Sequence, residues 1–150
     1  MERKHSFVGE FEHALDSKGR LIIPAKFRAA LGERFFVMRG MNASCLYVLP
    51  QDEWELKVQI FESISEFDDE AQDYARFLFA DAEEREMDSQ GRIVIPPKLR
   101  EAAGVDDDVV VVGNRRRVEI WQKKRYLESK ERFYAREKEV KMYMMDKYKI

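Results

Sequence analysis

Between Gln51 and Phe79, apolar residues recur at Trp54, Val58, Phe61, Ile64, Phe67, Ala71, Tyr74 and Leu78, in steps of three and four that fit the α-helical period. The polar run Ser65–Glu70 interrupts this stripe and predicts two helices, with Asp68 placed to cap the second. From Lys123 to Tyr148, Tyr126, Phe133 and Val140 recur every seven residues, flanked by Leu127, Tyr134 and Met144. That pattern predicts one long helix with an apolar seam able to pack on the linking helices or on a neighbouring subunit. Elsewhere the pattern is short-ranged. Phe7–Leu15 and Glu83–Met87 read as extended pieces, and Arg20–Ile23 and Arg92–Ile95 as short β-branched strands closed by Pro24 and Pro96. Ala25–Leu31 and Pro97–Ala103 read as short helices, with Pro97 in the first turn and Gly32 and Gly104 as C-caps. Strands are predicted at Arg34–Arg39 and Cys45–Leu49, and again at Asp108–Val112 and Val118–Trp121.

The two series are one series written twice. Leu15–Gly32 placed over Met87–Gly104, an offset of 72, gives ten identities in 18 positions. They are Asp16/Asp88, Ser17/Ser89, Gly19/Gly91, Arg20/Arg92, Ile23/Ile95, Pro24/Pro96, Lys26/Lys98, Arg28/Arg100, Ala30/Ala102 and Gly32/Gly104. The same offset pairs Phe7 with Phe79, Glu12 with Glu84, Leu46 with Val118 and Trp54 with Tyr126. Each unit holds about four short strands and one helical turn, too little sheet to close a core alone. Two units must pack on each other, and a tandem copy lets them do so within one chain. The implied organisation is α+β, mainly β. Repeat one spans residues 7–54, a helical linker 55–78, repeat two 79–124 and a C-terminal helix 125–150.

Charge refines the picture. The 150 residues carry a net charge of −2, which taken whole argues against a nucleic-acid partner. The average conceals three blocks: +3 over residues 1–50, −11 over 51–88 and +6 over 89–150. Local fields decide where a polyanion docks. Residues 1–6 are charged or polar and no apolar run follows, so the start does not read as a signal peptide, and no stretch is long enough to span a membrane. Cys45 is the single cysteine, which excludes an intramolecular disulfide and reads as a small strand residue. The expected address is the cytoplasm.

In Asp-Ser-x-Gly-Arg, Asp can bond the backbone ahead of it and Gly can take a positive φ, so the segment reads as a turn. Folding accounts for Asp, Gly and Pro. It does not account for a doubled Arg20/Arg92, Lys26/Lys98 and Arg28/Arg100. The run Leu15-Asp16-x-x-Gly19-Arg20-x-x-Ile23-Pro24-x-x-x-Arg28 resembles the signature of the AbrB/MazE/SpoVT swapped-hairpin proteins. The tandem form, with Phe7-x-Gly9 upstream, Arg76, Phe79 and Ala82-Glu83 before copy two, and Gly113 followed by Val118-Glu119-Ile120-Trp121, resembles the MraZ family. The resemblance covers the chain through Trp121.

That resemblance implies two AbrB-type swapped-hairpin half-units forming one pseudo-twofold β-barrel. It implies a cytoplasmic, nucleoid-associated transcriptional regulator, a repressor of its own operon and of the division and cell-wall gene cluster. It also implies a ring-shaped homo-oligomer that reads short G-rich direct repeats in double-stranded DNA, with no cofactor and no small-molecule substrate. The paired Asp and Arg would lie on the DNA-binding surface. A β-ribbon with Arg at its turn can enter a major groove, where Arg pairs with O6 and N7 of guanine. Arg20 and Arg92 are the candidates for that contact. Asp16 and Asp88 would buttress them and cap the turns, because a carboxylate facing phosphate would repel it. Lys18, Lys26 and Arg28, with Lys98 and Arg100 in copy two, would contact phosphates and set register. Gln90 replaces Lys18 in copy two, and Arg3-Lys4 precede copy one. On those grounds copy one is the expected DNA face, and copy two a second face that builds the barrel or ring.

Arg115-Arg116-Arg117 reads either as a DNA patch or, more simply, as a solvated hairpin turn. His5 and His13 have no cysteine or carboxylate cluster at ligand spacing, so no metal site is expected. Asp106-Asp107-Asp108 precedes a valine run as a guard against aggregation. The acidic stretch Asp68–Asp73 reads as a solvated helix face. Nothing has nucleophile–base spacing or a Gly-rich phosphate loop, so an enzyme is not expected. A MazE-type antitoxin shares the half-unit but carries one copy and a disordered tail, whereas this tail is helical and apolar-seamed.

Overall fold

A computed structural model describes residues 5–150. Arg3 and Lys4, counted above with copy one, lie outside the described residues. The first repeat comprises β1 (Phe7–Ala14), β2 (Arg20–Ile22), α1 (Ala25–Leu31), β3 (Arg34–Arg39) and β4 (Leu46–Pro50). Helices α2 (Gln51–Glu62) and α3 (Asp69–Asp81) follow. The second comprises β5 (Glu83–Glu86), β6 (Arg92–Val94), α4 (Pro97–Ala103), β7 (Asp108–Arg115) and β8 (Arg117–Gln122), followed by α5 (Lys123–Ala135) and α6 (Glu137–Tyr148). The α+β class and the two repeats are as the sequence predicts. So are the caps: Asp68 accepts the Ala71 N–H at 3.1 Å, and Gly104 ends α4 in the left-handed region.

The strands exchange between repeats. A six-stranded antiparallel sheet runs β1-β7-β8-β4-β3-β5, and β2 pairs with β6 in a separate two-stranded ribbon. Neither opening strand pairs with its own repeat: β1 lies on β7 and β5 lies on β3. Exchanging the repeats leaves the strand order unchanged. The pseudo-twofold axis passes where Leu21 faces Ile93 and where Tyr47 faces Glu119, each pair being one position in the two copies. The edge strands β1 and β5 are not hydrogen-bonded to each other, and their outward positions carry Glu10, Glu12, Glu84 and Glu86, charges that discourage edge pairing.

The constant offset of 72 does not hold throughout. Glu12 faces Val110 while Glu84 faces Phe36, so β3 and β7 correspond at an offset of 74. Two extra residues sit in the Val105–Asp107 stretch, where the Asp107 carbonyl accepts the Leu15 N–H at 2.9 Å. Phe7 and Phe79 are likewise not equivalent. Phe7 opens β1 in the barrel core, and Phe79 lies in α3 against Trp54 and Phe61.

Two apolar clusters flank the sheet. One lies between the sheet and the ribbon with α1 and α4: Leu21, Ile23, Ile93 and Ile95 meet Phe35, Val37, Val48, Val109, Val111 and Ile120. The other lies under α2, α3 and α5, where Met38, Tyr47, Leu49, Leu78 and Trp121 meet Trp54, Phe61 and Tyr126. Each fully buried aliphatic or aromatic side chain contributes about 1.5–3 kcal/mol. The predicted single C-terminal helix is divided. At Arg136 the N–H bonds the Phe133 carbonyl three residues back, and φ is −120°. Helix α6 buries no residue, so packing does not hold it in line with α5. Helix α5 is tied to β1 through Glu10, which accepts from Tyr126 at 2.5 Å and from Lys130 at 3.0 Å.

The cores interlock at the turns. The Ile23 N–H donates to the Gly91 carbonyl at 2.9 Å, and Ile95 to Gly19 at 3.0 Å. Gly91 has φ +77°, and a Cβ there would lie 2.3 Å from the Arg28 guanidinium carbon. Gly91→Ala is therefore expected to cost about 1–2 kcal/mol for the backbone alone, and more for the displaced Arg28. In an Arg28→Ala background only the backbone part remains. Equal shifts of the urea midpoint in both backgrounds would refute the contact.

Candidate nucleic-acid interface

The turn is built around one carboxylate. Asp16 Oδ1 accepts the N–H groups of Lys18 and Arg20, each at 2.9 Å, and Asp16 Oδ2 accepts from Arg20 Nε at 2.6 Å. The Gly19 N–H closes the loop onto the Asp16 carbonyl at 3.0 Å, and Gly19 takes φ +73°. Copy two repeats this atom for atom: Asp88 accepts from Gln90 N, Arg92 N and Arg92 Nε at 2.9, 2.9 and 2.7 Å. The Arg20 and Arg92 backbone N–H groups, with the guanidinium groups, hold both carboxyls below the usual aspartate range. Each arginine is thus oriented through Nε, and its terminal Nη edge has no hydrogen-bond partner among the described residues.

Strand alternation then aims the arginines. Leu21 and Ile93 are buried, so Arg20 and Ile22, with Arg92 and Val94, project from the opposite face of the ribbon. Arg20 faces Val94 and Arg92 faces Ile22, which makes the arginines diagonal neighbours about 7–8 Å apart. Both copies therefore serve one surface. The expectation of one DNA face and a second, building face does not survive the β2–β6 pairing.

The remaining candidates divide. Lys18 is exposed at the turn tip, and Lys26 and Lys98 are exposed on α1 and α4. Lys26 Nζ sits 5.5 Å from the Phe11 ring centre. Arg28 and Arg100, expected to meet phosphate, are half-buried and engaged by the fold. Arg28 Nε donates to the Ile23 carbonyl at 2.9 Å, and its guanidinium packs on Gly91. Arg100 packs on Gly19, the reciprocal contact. They staple each repeat to the other's turn.

The triple arginine is not part of this surface. Arg115 pairs with Phe7, whereas Ala14, next to the first turn, pairs with Asp108. A full strand, about 20–25 Å, separates the two ends. Arg117 turns inward: its Nε donates to Glu119 at 2.8 Å and its guanidinium covers Tyr47 at 4.1 Å. Glu119, 6% exposed, also accepts from Asn114 at 3.0 Å and from Trp121 Nε1 at 2.9 Å. One signal for this network is visible in the chain itself, a glutamate inside the apolar run Val118–Trp121. Arg116 approaches Glu53 at 4.0 Å, and Arg115 stays exposed.

Two measurements test these assignments. Arg117→Ala leaves Glu119 short of its cationic partner and is expected to destabilise the fold by about 3 kcal/mol, read from chemical denaturation. The turn pairs predict a pH signature. A depressed folded-state carboxyl stabilises at full strength above the ordinary value near 3.9, and that contribution is lost as pH falls through the lower folded value. The stability gap between the wild type and the Asp16→Asn, Asp88→Asn double variant should therefore be constant from about pH 5 to 8 and close below about pH 4. A gap that closes near neutrality would refute the pairs.

Residues 6–77 and 78–142 each match the model of the family described as "MraZ protein, putative antitoxin-like". A Transcriptional regulator MraZ of Desulforamulus reducens is 49% identical over 120 residues, covering 80% of this chain and 84% of the relative. One of Syntrophomonas wolfei is 39% identical over 140 residues, covering 93% and 97%. One of Halothermothrix orenii is 45% identical over 131 residues, covering 85% and 91%. With both repeats matched and relatives aligned over most of both chains, the chain belongs to the MraZ family.

Proposed function

We propose that this chain is a sequence-specific DNA-binding transcriptional regulator, not an enzyme. In this reading it works in the cytoplasm on the nucleoid, represses its own operon and the division and cell-wall gene cluster, and binds short G-rich direct repeats. The observation that carries the reading is the pair of aspartate-oriented arginines, Arg20 and Arg92, on the outward face of one antiparallel ribbon. Such a ribbon fits a major groove, and an Arg held at Nε offers its Nη edge to guanine O6 and N7. Lys18, Lys26 and Lys98 surround the ribbon as phosphate contacts. The relatives' shared designation as transcriptional regulators supports the same reading.

The assembly we propose is a ring of identical subunits. Phe133, Tyr134, Met142, Tyr143, Met145 and Tyr148 are exposed on α5 and α6. Residues 123–150 carry ten Lys or Arg against five Asp or Glu, and the acidic block 51–88 is their electrostatic complement. A contact between two different faces propagates head to tail and closes into a ring when its rotation divides a full turn evenly. A ring presents several ribbons to several direct repeats and gains affinity through effective concentration.

Footprinting on the DNA upstream of the chain's own gene tests this. The wild type should protect repeated G-rich sites, with affinity falling steeply with salt through counterion release. Arg20→Ala, Arg92→Ala should lose about 1–3 kcal/mol per guanine contact while the oligomer, sized by light scattering, is unchanged. Normal operator binding by that double variant would overturn the reading.

A further inference from the structure

The ribbon face holds two residues that neither the fold nor the arginines require. Ile22 is 45% exposed and Val94 44% exposed, on strands whose inner residues Leu21 and Ile93 are sealed in the core. Outward positions on the flanking edge strands carry Glu10, Glu12, Glu84 and Glu86 instead. A threonine would satisfy strand propensity at either site with less exposed aliphatic surface. The pseudo-twofold places each aliphatic directly across from an arginine, Ile22 from Arg92 and Val94 from Arg20. Directly opposed side chains have Cβ atoms about 4.5–5.5 Å apart, and along a strand Arg20 and Ile22 are two residues, about 7 Å, apart. Those distances span one to two base steps at about 3.4 Å each. A docking that seats the ribbon deep enough in the groove for Arg20 and Arg92 to reach base edges sets Ile22 and Val94 over the neighbouring pairs.

The major groove presents one apolar group at its base edges, the C5-methyl of thymine. Cytosine offers an amino donor in the same region, which an aliphatic side chain would bury unpaired. We propose that Ile22 and Val94 are specificity-determining residues that pack on thymine methyl groups one or two base pairs from the guanines read by Arg20 and Arg92. The inference rests on the proposed DNA reading of this ribbon. It adds a second kind of readout: arginine selects guanine, and the aliphatic pair selects thymine over cytosine beside it.

Replacing single thymines of the footprinted operator by deoxyuridine deletes the methyl and keeps the base pair. With the full-length wild type, deoxyuridine next to a contacted guanine should weaken binding about fourfold, the equivalent of one buried methyl. Ile22→Ala, Val94→Ala should bind the unmodified operator more weakly and show no further loss with deoxyuridine. Ile22→Thr, Val94→Thr keeps the branched strand residues and guards against a folding artefact. Wild-type affinity indifferent to every deoxyuridine substitution would overturn the inference, as would the same sensitivity in the alanine variant. Arg20→Ala, Arg92→Ala on the same DNA separates the two claims. If it binds normally, the DNA reading has failed. If it loses binding while deoxyuridine has no effect on the wild type, only the thymine contact has failed.

Discussion

The antiparallel contact of three residues with three, Arg20–Ile22 on Arg92–Val94, ties the two repeats together where they meet. It seals Leu21 and Ile93 into the core and lets each turn's glycine carbonyl accept from the N–H of the other repeat's isoleucine. The same contact puts both Asp–Arg pairs on one outward face. A ribbon this short is marginal alone. It persists because β1 and β5 are exchanged across the sheet, so neither repeat can withdraw without opening the other's core. Covalent linkage makes that exchange intramolecular, which raises the effective concentration of the second half-unit.

Symmetry is strict at the two turns and broken elsewhere, even where the axis crosses the sheet. The two turns share every hydrogen bond, down to distances within about 0.1 Å. Where the axis crosses β4 and β8, Tyr47 faces Glu119, and Arg117 fills the gap by covering one and bonding the other. The following helices diverge further. Helices α2 and α3 carry the acidic block and cover one end of the sheet. Helix α5 is basic, is pinned to Glu10, and leads into α6, which buries nothing. A twofold face suits a ligand that is itself nearly twofold, such as duplex DNA. Two unlike helical faces suit a head-to-tail contact.

Local features were legible in the sequence, and long-range partners were not. The turn, the Asp capping, the helix ends at Asp68 and Gly104 and the doubling all follow from residues close in the chain. Arg28 and Lys26 look alike in sequence, two cations on one short helix. They differ because Arg28 faces Gly91 of the other repeat, a residue 63 positions away that has no side chain to exclude it. Arg117 was hidden among three arginines because its partners, Tyr47 and Glu119, meet only when β4 pairs with β8. The two-residue shift between β3 and β7 escaped because flanking identities hold the offset of 72 on both sides. The break at Arg136 carries no Gly or Pro to announce it.

In the proposed reading, a carboxylate beside each DNA-reading arginine looks self-defeating for binding a polyanion. The geometry resolves this. Each aspartate is satisfied by two backbone N–H groups and one guanidinium nitrogen, so its charge is spent inside the turn. The arginine gives up Nε and keeps two nitrogens without a hydrogen-bond partner among the described residues, with much of its rotamer entropy already lost on folding. For the proposed DNA contact, the exchange favours selectivity over raw attraction, because a half-neutralised arginine draws phosphate weakly but would meet a guanine edge in a preset orientation. One such face would bind DNA poorly, so the proposed activity requires repetition on both sides. Several operator copies and several subunits are the natural counterpart of a binding unit tuned this way.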